Sequence, residues 1–241
     1  TACYPGILKH RCSSLDAHIR IPRIYSFSWL FMFLLRSFIY LLCLAGVAHL
    51  IQLEGFELKQ DALYSEETLT EHMQDVLTFL SCILFFYASR INFQLKIPAV
   101  LLAALSAMMF VREFDTYLDL YFFDGAWQSI VYSILAGVFV YLITNRGSIF
   151  NSLKAYSLTP SYGICLSGMV TLLAFSRMMG KGAFWHSVMG DDYVRAVKNI
   201  VEEGIETLGY TLIFISAIEL VLICRKRMAK NHKHCTDQVT Q

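Results

Sequence analysis

The sequence predicts an all-α polytopic membrane protein, a bundle of six transmembrane helices with both termini on the cytoplasmic side. Three observations carry this expectation. The 241 residues are 56% hydrophobic and only 16% charged, against about 25% charge in an ordinary soluble domain. The mean hydropathy is +0.50, and the apolar residues are gathered into long runs. Within those runs they cover every helical face, which excludes a soluble amphipathic bundle, and no period-two alternation marks barrel strands.

A helix needs about 20 mostly apolar residues to cross about 30 Å of hydrocarbon. The first such run is 29–51, from Trp29 to Ile51, interrupted by Arg36, whose long stem can snorkel to the headgroups. The others are 71–90, 97–116, 127–146, 161–180 and 204–224. Residues 1–28 and 225–241 read as cytoplasmic flanks, and the whole chain as one integral membrane domain without internal repeats. Residues 52–70 form the longest polar connection, strongly acidic and too short for a domain of their own. Residues 181–199 are expected to hold a short interfacial helix carrying Phe184, Trp185 and Tyr193, because aromatic rings favour the headgroup level. Ser106, Ser167, Gly163 and Gly168 are small residues of the kind that let membrane helices approach.

Orientation follows from lysine and arginine. The N-terminus, the 90–96 and 145–160 connections and the tail carry thirteen basic residues against two acids, Asp16 and Asp237. The opposite connections, 52–75, 112–126 and 177–206, carry six basic residues against sixteen acids. Both termini are therefore expected inside, with an acidic outer surface, and the natural setting would be a bacterial inner (plasma) membrane or a comparable organelle membrane. The basic tail from Arg225 to His234 fits a stop-transfer flank against anionic headgroups.

Several function classes fall away. A formal net charge of +1 excludes a generally basic nucleic-acid binder. The seven cysteines are scattered, with no CxxC pair, no zinc spacing and no sign of a disulfide framework. P-loop, GxGxxG and GxSxG motifs are absent, no secretory signal is visible, and no residue pattern names a cofactor, a metal or a protein partner.

The informative feature lies at the outward ends of the spans. Uncharged stretches 97–111, 161–176 and 76–89 are too short to cross alone, so each must draw polar neighbours into its outer part. Those neighbours are Glu71, His72, Gln74 and Asp75, then Arg112, Glu113 and Asp115, and Arg177. Span 204–224 adds Glu202, Glu203 and Glu206 at its outer end, and the first span adds His49. Ionisable groups at depth cost at least about 2.5–3.5 kcal/mol unless they meet a partner or a cavity. Gathered on one side, they imply a shared polar recess open to the extracytoplasmic surface.

Helical spacing refines this. Arg112, Asp115 and Asp119 stand at i, i+3 and i+7 and would share a face, with Glu113 about 100° away. If the last helix begins before residue 198, Arg195, Lys198, Glu202, Glu206 and Tyr210 trace one stripe. The expected ligand-binding set is Arg112, Arg177, Asp115, Asp75, Glu202 and Glu113, taking a lipid headgroup or small polar solute. Arginine is the better residue for a bidentate grip on an anion. Glu206 or His72 would serve as general base if the recess is catalytic.

Other readings of the same residues are an ion-coupled or small-solute transporter and a structural subunit of a membrane complex. Arg112 with Asp115 or Glu206 can fix helix register as an ion pair. Glu71, His72 and Asp75 can be a solvated first turn. Glu219, near the inner end of the last span, reads as paired with a tail cation or protonated.

Overall fold

The computed structural model describes residues 23–57 and 69–239, and among these every regular element is helical. The helices are α1 (Arg23–Glu57), α2 (Leu69–Ile91), α3 (Lys96–Glu113), α4 (Asp115–Tyr121), α5 (Ala126–Thr144), α6 (Ile149–Ser157) and α7 (Pro160–Val170). After α7 comes a π-helical turn, Thr171–Ser176, then α8 (Arg177–Met179), α9 (Gly182–Met189) and α10 (Arg195–Val239).

The chain divides into two compact units, residues 1–41 and 42–241. The described part of the first is the opening of α1, where Phe31, Leu34, Phe38 and Leu41 are each more than half exposed.

The second unit is organised around α10. Helices α2 and α7 pack on it, α3 packs on α2, and α5 packs on α3. Asn92 closes the tight α2–α3 turn, its Oδ1 accepting from the backbone N–H of Gln94 at 2.9 Å and of Leu95 at 3.2 Å. That turn folds α3 back along α2, so that the rings of Phe79 and Phe110 meet at 5.3 Å. Helices α7 and α10 are also antiparallel. The Ser161 hydroxyl donates to the Ser216 carbonyl at 2.9 Å, and the Ser216 hydroxyl donates back to the Ser161 carbonyl at 3.0 Å. Seven residues further along α7 and seven back along α10, Gly168 faces Gly209 so closely that a Cβ on Gly168 would stand 2.9 Å from the Gly209 carbonyl oxygen. Phe85, Leu95, Ala217, Leu220 and Cys224 fill the core without any exposure.

Five helices are long and apolar enough to cross a membrane: Leu30–Leu53, Leu69–Ile91, Ala126–Thr144, Pro160–Met179 and Arg195–Ala229. These five contain or closely match five of the six expected spans. The remaining one, 97–116, is interrupted. Helix α3 ends at Glu113, the chain turns at Phe114 (φ −94°, ψ 15°), and α4 begins at Asp115. An aromatic stack holds the break, with Phe114 4.8 Å from Phe110 and 6.0 Å from Tyr117. The expected shared face of Arg112, Asp115 and Asp119 is lost there, because no single helix carries all three. Asp119 instead accepts from the N–H groups of Gly125 and Ala126, each at 3.1 Å, and so caps the start of α5.

Other boundaries also differ from expectation. The 145–160 connection is largely helical, because α6 buries Ser152 and Tyr156 and sets Tyr156 edge-on to Tyr162 at 5.6 Å. Helix α1 runs on to Glu57, and α10 continues through the basic tail to Val239. The rest of the acidic connection, 58–68, and the flank 1–22 lie outside the described residues.

Candidate functional site

The N-terminal end of α2, the C-terminal end of α3, the π turn with α8, and the first turns of α10 converge at one end of the bundle. Helix α10 begins at Arg195, so the stripe from Arg195 through Lys198, Glu202 and Glu206 to Tyr210 does lie on one helix. Gln74, only 2% exposed, ties α2 to it. Its Nε2 donates to the Thr207 hydroxyl at 3.0 Å and to the Glu203 carbonyl at 3.3 Å. The Thr207 hydroxyl passes its own hydrogen to the same Glu203 carbonyl at 2.8 Å.

Two carboxylates are held from behind by hydroxyls. Tyr210 Oη donates to Glu113 Oε1 at 2.6 Å. Ser176 Oγ, fully buried at the end of the π turn, donates to Glu206 Oε1 at 2.7 Å. A π turn adds a residue to the helical repeat and commonly occurs at functional sites; here it delivers Ser176 to α10 with Arg177 next to it. Each carboxylate also has an arginine in front. Arg112 Nη2 lies 3.6 Å from Glu113 Oε1, and Arg177 Nη2 lies 3.8 Å from Glu206 Oε1. The arginine side chains are 42% and 51% exposed, the carboxylates 17% and 11%. Shielded acids therefore lie beneath and half-exposed cations at the rim.

The groups act on one another. Glu113 feels the charges of Arg112, Glu206 and Asp75, and Arg112 feels those of Glu113, Glu206 and Asp115. Asp75 Oδ1 is shielded from solvent and, among the described residues, receives no hydrogen bond.

Of the residues singled out from sequence, Arg112, Glu113 and Glu206 act on one another, Asp75 joins through Glu113, Asp115 through Arg112, and Arg177 through Glu206. Glu202 is turned to Lys198, 2.7 Å away, and lies over Gly180. His72 is exposed one turn from Asp75. His49 is exposed on α1. Ser176 and Thr207, which orient the acids and the α2 contact, carry no charge and had no motif to announce them. Next to the site, α9 is a short helix within the 181–199 stretch that carries Phe184 and Trp185 but ends before Tyr193; Trp185 donates its indole N–H to the Met179 carbonyl, and the Tyr193 ring lies 3.9 Å from that of His186.

No group of three or more His, Cys, Asp or Glu among the described residues is placed to hold a metal ion. Ser176 is a poor nucleophile despite its acidic neighbour, since it is wholly buried. What the arrangement can do chemically is present two guanidiniums outward over fixed carboxylates. The fold and this site define a helical chain with five membrane-length apolar helices and a charged end. No family model, curated protein or solved structure matches it.

Proposed function

We propose that the chain is a six-pass membrane protein, both termini cytoplasmic, whose outward recess binds a polar headgroup or small solute. Support for six passes comes from the α2–α3 hairpin. If α2 crosses, α3 must return, and its 18 residues span about 27 Å at 1.5 Å each. Exposed apolar side chains support the membrane setting; on α5, Tyr132 and Phe139 are 68% and 66% exposed. Patches of that size in water mark an interaction surface.

The observation that carries the ligand reading is the presence, at one end of the bundle, of two half-exposed arginines and of an Asp75 oxygen that is shielded and, among the described residues, lacks a donor. Each guanidinium nitrogen stands 3.6 or 3.8 Å from its carboxylate oxygen, too far for a hydrogen bond, so half-exposed Arg112 and Arg177 keep N–H donors available to an anionic group. Asp75 Oδ1 calls for a hydrogen-bond donor, which burial makes costly to leave out. A zwitterion meets both demands, with phosphate or carboxylate on the arginines and ammonium at Asp75.

The test is calorimetric titration of O-phosphoethanolamine into the detergent-purified chain. Arg112→Gln, Arg177→Gln and Asp75→Asn should each weaken binding by about tenfold, as expected for a lost charged hydrogen bond. Equal affinity in all three variants and the parent defeats the reading. A general-base role for Glu206 would add turnover, lost in Glu206→Gln while binding persists. Transport would instead give flux of the same probe in proteoliposomes.

A further inference from the structure

At the opposite end of the second unit a cavity of about 330 Å³ lies between the α2–α3 turn and the α5–α6 corner. We infer that it is a second site, one that binds a phosphoryl group, supplied by an anionic phospholipid of the inward-facing leaflet. The inference rests on the membrane setting proposed above but not on the outer recess.

The lining decides the sign of the ligand. Gln94, Lys96, Tyr141, Ser148 and Asn151 bring carboxamides, hydroxyls and one ammonium to the cavity, Asn145 gives its amide hydrogens to Tyr141 and Thr144, and no Asp or Glu lines it. A cation would meet Lys96 and no countercharge; an anion meets a charge and several neutral donors. Tyr141 supplies an independent indication, since its Oη is shielded from solvent and has no hydrogen-bond partner among the described residues. A phenol O–H so placed costs free energy unless something accepts from it. Two helices begin at the cavity, α3 at Lys96 and α6 just after Ser148, and neither start has a side-chain cap. Their positive dipole ends add to the same preference.

The position names the source. Tyr141 sits in the last turn of α5, and Phe93, 85% exposed in the α2–α3 turn, projects an aromatic ring at the same boundary. Aromatic rings there favour the headgroup level. The two connections that form the cavity carry Arg90, Lys96, Arg146 and Lys154 and no acid, which is the cytoplasmic pattern of a bilayer protein. Lipid phosphate and free phosphate share the chemistry, so the experiment must separate them.

The full chain is placed in phosphatidylcholine nanodiscs with and without phosphatidylglycerol, and retained lipid is read by native mass spectrometry. Inorganic phosphate is titrated in parallel into detergent-purified protein. The expected result is one retained phosphatidylglycerol, reduced by about tenfold in Lys96→Gln and several-fold in Tyr141→Phe, with Lys154→Gln unchanged. Inorganic phosphate should bind far more weakly. If inorganic phosphate binds as tightly as the lipid, the lipid source is wrong. Equal retention in parent, Lys96→Gln and Tyr141→Phe overturns the site, and so does loss in Lys96→Gln alone, which would mean diffuse surface attraction. Both variants change groups that line the cavity, and an unchanged unfolding midpoint shows that each is folded. Release of the chain from membranes by alkaline carbonate would sink the membrane setting itself, a result separate from any of these.

Discussion

Tyr210 Oη donates to Glu113 Oε1 across 2.6 Å and thereby fastens the middle of α10 to the last turn of α3. Tyr210 is 3% exposed, so Tyr210→Phe leaves Glu113 facing a dry surface with one acceptor unfilled. We expect a loss of about 1–3 kcal/mol, read as a lower denaturation midpoint in detergent. The paired change Tyr210→Phe, Glu113→Leu should recover part of it, since both ends of the bond are then gone. A single variant as stable as the parent would show that the bond contributes nothing.

The same contact explains what the sequence could and could not announce. Long apolar runs at 127–146 and 161–180 are legible because bilayer thickness sets their length, and α5 and the α7–α8 stretch follow within two residues. The break at Phe114 is not legible, because it depends on Phe110 and Tyr117 closing around one ring. Spacing along an unbroken helix put Asp115 beside Arg112 and turned Glu113 away. Asp115 still acts on Arg112, but Glu113 is the acid that meets both Tyr210 and Arg112. Clustering of charge was readable, since lone charges in hydrocarbon are costly. Which hydroxyl fixes which carboxylate was not, because Ser176 owes its aim to a π turn that no composition reveals.

Sidedness gives a second prediction. Asp191, in the corner between α9 and α10, and Met228, on the distal part of α10, are both exposed. With an outward recess and an inward tail, Asp191→Cys should react with a membrane-impermeant maleimide in intact cells. Met228→Cys should react only after permeabilisation, each measured above the background of the native cysteines. Labelling of both positions from outside would contradict the arrangement drawn from lysine and arginine.

Asp119 gives a third. Its carboxylate binds two N–H groups at the start of α5, next to Gly125, whose φ of +85° suits glycine. Asp119→Ala should cost about 0.5–2 kcal/mol, the usual effect of losing an N-terminal cap. Asp119→Asn keeps an acceptor and should cost less. Gly125→Ala should cost about 1 kcal/mol or more by forcing a side chain into the left-handed region. Unfolding midpoints and protease sensitivity of the α4–α5 corner read all three, and an Asp119→Ala chain indistinguishable from the parent would refute the capping role.

The α7–α10 crossing gives the fourth. A Cβ on Gly168 would lie 2.9 Å from the Gly209 carbonyl oxygen and 3.0 Å from Ile213 Cγ1, while a Cβ on Gly209 would lie 2.6 Å from Leu172 Cγ. Backbone oxygen cannot step aside as a flexible side chain can, so Gly168→Ala must push the helices apart. Separation would stretch the Ser161–Ser216 exchange one heptad away, where both hydroxyls are fully buried. Overpacking of this kind costs about 1–3 kcal/mol, and the loosened serine pair adds to it. Gly163 is the internal control, because a Cβ there meets nothing within 4 Å. Gly168→Ala and Gly209→Ala should therefore lower the unfolding midpoint while Gly163→Ala leaves it in place. If all three behave alike, close approach of these two helices is not what holds α7 to α10, and the fixed position of Ser176 against Glu206 would need another cause.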